Sequence, residues 1–189
     1  FANNPEVDSF RMLFSGTSLK SVPDGLFANN HKVTNFQSAF SKTAIQSVPA
    51  DLFAGCGKVT TFMSCFTGCS ELQSVPAELF KSSGAFTTVT KTAFNNIFKD
   101  CTSLTEVPAG LFDGFTLVTA FNDAFNGCAS LTTLPAGLFA TNTAVTSFTN
   151  VFKGCTSLKS IPEGVLGGLS KVTSFSGLFA GCTGLEEIG

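Results

Sequence analysis

The residues able to do chemistry are few, and their spacing limits what they can do. The lone histidine, His31, stands two residues before Val33, and Cys56 stands three before Val59, which brings the two to nearly the same height in successive units. A Cys–His pair becomes nucleophilic only when a third group holds the base and an oxyanion hole is near. The flanking sequence supplies neither, so both read as loop side chains. Cys69, Cys101, Cys128, Cys155 and Cys182 recur at one repeat position, which the first two units lack, and no Cys-x-x-Cys pair occurs. That suits a buried apolar filler with a weak S–H donor better than zinc binding or disulfides between neighbours. With 7 Cys in all, complete internal pairing is excluded. Asp51, Glu78, Glu106, Asp113 and Asp123 fall at different repeat positions, giving no facing carboxylates for hydrolysis. There is no phosphate-cradling loop, no His-Glu-x-x-His and no Ser nucleophile elbow. The expectation is a protein that is not an enzyme, with no catalytic residue, no metal and no cofactor.

Composition narrows the class further. Of 189 residues, 43% are hydrophobic and 13% charged, enough to bury a sizeable core. A formal charge of −2 leaves no basic face to track phosphates, so no nucleic acid partner is expected. No apolar run approaches the roughly 18 residues of a membrane span. The start at Phe1, without Met or a charged-then-apolar leader, reads as an excised or processed part of a longer protein. The chain holds 22 Phe and neither Trp nor Tyr, which implies one aromatic used repeatedly for one steric task.

The repeat is legible at many positions. Pro23, Pro49, Pro76, Pro108, Pro135 and Pro162 form one ladder, and Leu19, Ile45, Leu72, Leu104, Leu131, Leu158 and Leu185 a second, four residues ahead of it. Leu26-Phe27, Leu52-Phe53, Leu79-Phe80, Leu111-Phe112 and Leu138-Phe139 follow the prolines, with Val165-Leu166 in the same place later. Phe10, Phe36, Phe62, Phe94, Phe121, Phe148 and Phe175 make a further row, and Phe14, Phe40, Phe66, Phe98, Phe125, Phe152 and Phe179 another. Only Phe1, Phe86 and Phe115 stay off these ladders. Residues 1–189 therefore read as a single domain of about seven coils of roughly 27 residues, stacked as a solenoid.

Val145, Phe148, Phe152 and Cys155 have the spacing of one helix face. Asp8, Thr34, Thr60, Thr92, Thr119, Thr146 and Thr173 suit helix N-caps, and Gly16, Gly68, Gly127, Gly154 and Gly181 suit helix stops. Leu-x-x-Val-Pro, as at Leu19 to Pro23, suits a short strand. The predicted fold class is α/β: a leucine-rich-repeat solenoid with short parallel strands on one face and short helices on the other. A parallel β-helix is the alternative, and the helical spacing argues against it. The longer stretch between Phe80 and Phe94 predicts a loop at 81–86.

The run Val172-Thr-Ser-Phe175-Ser-Gly-Leu-Phe179-Ala-Gly-Cys182-Thr-Gly-Leu185, with Pro-x-Gly-Leu-Phe between copies, resembles the BspA-like leucine-rich repeats of bacterial surface proteins. The resemblance covers essentially the whole chain, although the unit here is longer than the family's commoner spacing. It implies a secreted or cell-surface module for protein binding or adhesion, with a protein or other cell-surface ligand as partner, and no catalytic motif. A spacer holding another domain away from a membrane is the alternative. If the chain binds, the expected contacts follow each ladder Leu: Lys20, Gln46, Gln73, Thr105, Thr132 and Lys159, with Ser21, Ser47, Ser74, Glu106, Thr133 and Ser160 beside them. These rows carry no Trp, Tyr or Arg of the kind that dominates binding hot spots, so weak contacts repeated over several coils are expected.

Overall fold

In the computed structural model, residues 1–81 and 89–189 are described. The loop expected at 81–86, Lys81 excepted, and Phe86 with it lie outside the described residues. The chain winds into coils that stack in parallel, and a continuous hydrophobic cluster runs through them from Phe10 to Cys182.

The expected helices are not formed; the segments assigned to them run as overlapping four-residue turns. Phe36 to Thr43 shows the scheme. The N–H groups of Ala39, Ser41 and Thr43 donate to the carbonyls of Phe36, Ser38 and Phe40, three residues back, at 3.1–3.3 Å. Those of Phe36, Ser38, Phe40 and Lys42 donate to Thr61, Met63, Cys65 and Thr67 of the next coil at 2.7–3.1 Å. Alternate amides thus close local turns and the others tie coils together, which satisfies the backbone without a helix. The geometry requires a left-handed residue at every fourth position, as at Ser38 (φ 56°) and Lys42 (φ 57°), and such a residue ends any right-handed helix. The sequence pattern misleads because a period of four puts Phe36 beside Phe40 and Ala39 beside Thr43, much as 3.6 residues per turn would. A two-turn helix is also unstable alone, whereas each amide aimed along the solenoid axis gains a partner.

The Thr positions are correspondingly not helix caps. Thr34, Thr60, Thr119 and Thr146 direct both the main-chain N–H and the side-chain hydroxyl to a carbonyl of the preceding coil.

The predicted strands shrink in the same way. Only Ser160–Ile161 (β1) and Glu187–Ile188 (β2) pair as strands among the described residues, in parallel, with Ser160 opposite Glu187. Elsewhere on this side one main-chain bond per coil continues the row: Gln73 N–H to Gln46, Thr105 to Gln73 and Thr132 to Thr105, at 3.0–3.2 Å. In Leu72-Gln73-Ser74-Val75 burial runs buried, exposed, exposed, buried. That is a period of three, which a pleated strand with a period of two does not give.

The core consists of three columns of Phe rings. Phe36, Phe62 and Phe94 stack at 6.0 and 5.9 Å, Phe40, Phe66 and Phe98 at 5.5 and 5.6 Å, and Phe53, Phe80 and Phe112 at 6.0 and 6.2 Å, all within 12° of parallel. Neighbouring columns meet edge-on, as Phe36 does Phe53 at 4.8 Å and 63°. In the inner coils the ring positions lie wholly among other side chains, so a hydroxyl or an indole N–H would have no partner there. That accounts for the absence of Tyr and Trp. Phe1 belongs to this pattern after all: its ring lies 5.7 Å from Phe27 and opens the Leu-Phe column. Phe115 is buried edge-on against Phe94 at 4.8 Å. Among the described residues no helix is long and apolar enough to cross a membrane.

Candidate functional site

The thiols build upward from the turn segments. Each ladder cysteine sits three residues after a Phe, and its Sγ donates to the carbonyl of the equivalent Phe one coil earlier: Cys69 to Phe40, Cys101 to Phe66, Cys128 to Phe98, Cys155 to Phe125 and Cys182 to Phe152, at 3.0–3.3 Å. The first two units do not lack this position, as counting from the ladder Leu suggests. Thr17 and Thr43 fill it, Thr43 Oγ1 donating to Phe40 O at 2.9 Å and lying 3.4 Å from Cys69 Sγ. The single missing residue falls between this column and the ladder Leu, and counting three residues on from Phe14 and Phe40 finds both threonines.

A second polar column was not legible. Asn30, Cys56 and Asn142 each stand three residues after a Leu-Phe pair, and all three are buried. Asn142 Nδ2 donates to Phe112 O and Phe115 O at 3.0 and 3.2 Å, and Cys56 Sγ to Phe27 O at 3.7 Å. Cys56 is therefore a core thiol and not the loop side chain expected of it. His31 is exposed, with Nδ1 2.9 Å from Gly55 O, so the two side chains are committed to different carbonyls. Burial pushes the Cys56 thiol up to about 12, which removes the thiolate a nucleophile needs. Among the described residues no three His, Cys, Asp or Glu converge to hold a metal ion.

Cys155 and Cys182 are neighbours in the thiol column and influence one another's ionisation. The interaction lowers the more accessible Cys182 to about 7 and, with burial, raises Cys155. Iodoacetamide is accordingly expected to modify native Cys182 first, at a rate that climbs as pH passes about 7. Cys56 and Cys128 should stay unmodified over the same interval. Time-resolved peptide mass spectrometry reads this directly, and modification of Cys56 as fast as Cys182 would show that its column is open to solvent.

The candidate binding rows lie together on the side opposite the turn segments. Lys20, Ser21, Gln46, Ser47, Gln73, Ser74, Thr105, Glu106, Thr132, Thr133 and Lys159 are exposed, and Ser160 is half-buried in β1. Both rows thus face outward, held between the buried Leu column and the Val, Leu and Ile column that precedes the prolines. The row is partly engaged in itself. Thr105 and Thr132 hydroxyls donate to Gln73 O and Thr105 O at 3.3 and 3.2 Å, Gln46 Nε2 donates to Glu71 at 3.2 Å, and Lys159 lies 3.4 Å from Glu186. What this leaves is an exposed strip of hydroxyl and amide side chains with Lys20, Glu106 and Lys159 among them, one pair per coil.

No family model matches the chain, and no curated protein matches it. Solved structures do. A chain of the Toll–Spatzle complex of Drosophila is similar at 18% identity and a TM-score of 0.47, over 93% of this chain and 24% of that one. A leucine-rich cell surface protein of Faecalibacterium prausnitzii is similar at 18% identity and a TM-score of 0.25, over 100% and 74%. A leucine-rich repeat protein of T. pallidum is similar at 17% identity and a TM-score of 0.27, over 92% and 64%. The chain spans about a quarter of the length of the Toll–Spatzle chain it matches. With TM-scores below 0.5, these likenesses carry no inference of shared function.

Proposed function

We propose that the chain is a non-catalytic leucine-rich-repeat module of the BspA-like kind, a single solenoid domain over residues 1–189 that is secreted or displayed at a cell surface. Its partner is a protein or another cell-surface ligand, gripped along the strip from Lys20 and Ser21 to Lys159 and Ser160. The observation that carries this reading is the contrast between the two sets of polar groups. The thiols are buried in the core, while two outward rows repeat coil after coil. Short hydroxyl and amide side chains make each contact weak, and their repetition supplies avidity.

The test retains proteins from surface extracts of host or neighbouring cells on the immobilised chain and on a variant carrying Lys20→Glu, Lys159→Glu, Ser74→Phe and Thr133→Phe. Partners held by the parent should be lost from the variant. Equal retention by both would move the site to the turn side or the loops, and retention by neither would favour the spacer.

A further inference from the structure

The thiols of the ladder column are all placed alike. Cys101 Sγ lies 3.1 Å from Phe66 O, Cys128 Sγ 3.2 Å from Phe98 O and Cys155 Sγ 3.3 Å from Phe125 O. Each of those carbonyls also accepts the main-chain N–H of the cysteine one coil earlier, Cys69, Cys101 and Cys128 in turn, at 3.1 Å. Because one contact recurs, the sulfurs repeat at the spacing of the coils. That is about 4.8 Å where backbones bond in parallel, beside steps of 5.5–5.6 Å in the adjoining column of Phe66, Phe98, Phe125 and Phe152. The sulfurs also sense one another: burial raises the Cys101 thiol, and Cys128 and Cys69 on either side raise it further.

That separation is too long for a disulfide, whose sulfurs stand about 2 Å apart, and it suits a different bond. A linear sulfur–metal–sulfur unit spans twice a metal–sulfur bond of ~2.3 Å, or roughly 4.6 Å, which the column reaches by closing at most about 1 Å. Two donors in line are what a soft univalent d10 cation takes, and thiol sulfur is its preferred donor. Zinc takes four ligands, and the gap between two coils offers two sulfurs. We propose that the thiol column binds copper(I), each ion held in line between the sulfurs of successive coils, as between Cys101 and Cys128. Copper keeps its oxidation state. Two copper–sulfur bonds form and one S–H bond breaks, its proton leaving to solvent, so that one sulfur binds as thiolate and the other as neutral thiol. The core gains no net charge, which is decisive where an unpaired ion is costly to bury. With each sulfur used once, the five column thiols hold two ions, and each ion clips neighbouring coils together.

Copper(I) titration of the reduced chain without oxygen, against bicinchoninate as competing chelator and with native mass spectrometry to count ions, tests this. Every protein carries Cys65→Ala, because Cys65 neighbours Cys69 and alanine fills its position at Ala39 and Ala124. Two further variants remove equal numbers of thiols, each replaced by Thr as at Thr43. Cys101→Thr with Cys155→Thr leaves no two column thiols on successive coils. Cys69→Thr with Cys182→Thr leaves Cys101, Cys128 and Cys155 in sequence. The parent should take up two ions and the contiguous variant one. The interrupted variant should bind more than about a hundredfold more weakly, beyond the cost of losing a mere supporting partner. Circular dichroism checks that both variants fold. X-ray absorption of the loaded parent, which needs neither variant, should show two sulfur neighbours per copper. No uptake by the parent, three or more sulfurs per copper, or equal uptake by the two variants would overturn the proposal.

Discussion

Raised from pH 8 to pH 11, the protein is expected to unfold within a narrow window that opens near pH 9. Burial raises Cys56, Cys65, Cys69, Cys101 and Cys128 above the ordinary thiol value, and Cys155 is raised by its neighbour Cys182 and by burial. The folded chain therefore keeps protons that the unfolded chain releases above 9.0. The stability these thiols contribute is complete below that value and is lost as pH rises toward the folded values. Each costs up to about 1.4 kcal/mol per pH unit in that interval, so several together approach a whole domain's stability. Cys182 has the opposite sign, its contribution being lost as pH falls through about 7, and as a single group it does not offset the others. Replacing Cys101 and Cys128 by Thr, the residue that occupies their column at Thr17 and Thr43, should move the alkaline midpoint upward and make the transition less steep. Circular dichroism follows the unfolding, and with no Tyr in the chain thiolate absorbance can be read without phenolate overlap. An unchanged midpoint in the double variant would show that the thiols do not drive it.

Phe125→Ala is expected to cost about 3–5 kcal/mol in urea unfolding, the range for deleting an aromatic ring from a packed interior. Phe125 is fully buried, stacks on Phe98 at 5.6 Å and Phe152 at 5.5 Å, and meets Phe112 at 6.1 Å. Its loss opens a gap between two coils whose backbones are pinned to one another, which limits collapse into the space. Phe175→Ala, at the half-open end of its column, should cost about 1 kcal/mol or less. A Phe125→Ala chain within 0.5 kcal/mol of the parent, about the spread of harmless surface changes, would mean that the columns do not carry the fold.

The coil register, the Phe columns and the outward rows were legible because each depends on side-chain type recurring at a fixed separation. The backbone between them was not. Val145, Phe148, Phe152 and Cys155 satisfy a helix and a run of turns alike, since the two periods drift apart by less than one residue over so short a stretch. A discriminating signal existed two residues after six of the seven Phe of the Phe10 row, where Ser38, Ser64, Asn96, Asp123, Asn150 and Gly177 are small or polar and poor helix formers, and all have positive φ; Met12, in the first coil, shares the conformation without the signal. Asn and Asp tolerate that conformation better than most residues, which fits three of the six. Cys56 was misplaced for a related reason: its repeat position holds Asn in two other coils and Phe115 in another, so no single residue type marks the column as buried.

Backbone bonds that run along the solenoid axis, coil to coil, also set how the protein bears load. A pull on its two ends is directed along those bonds, and it concentrates on the few that hold an outermost coil instead of being shared across the stack. Such a chain yields by peeling, one coil of roughly 27 residues after another, each releasing on the order of 90 Å of slack at 3.3–3.6 Å per extended residue. A force applied across the coils meets no such seam, because each Phe column must be cut through packed rings. The molecule is thus soft to tension along its length and stiff to shear, the mechanical grain of a stack of plates.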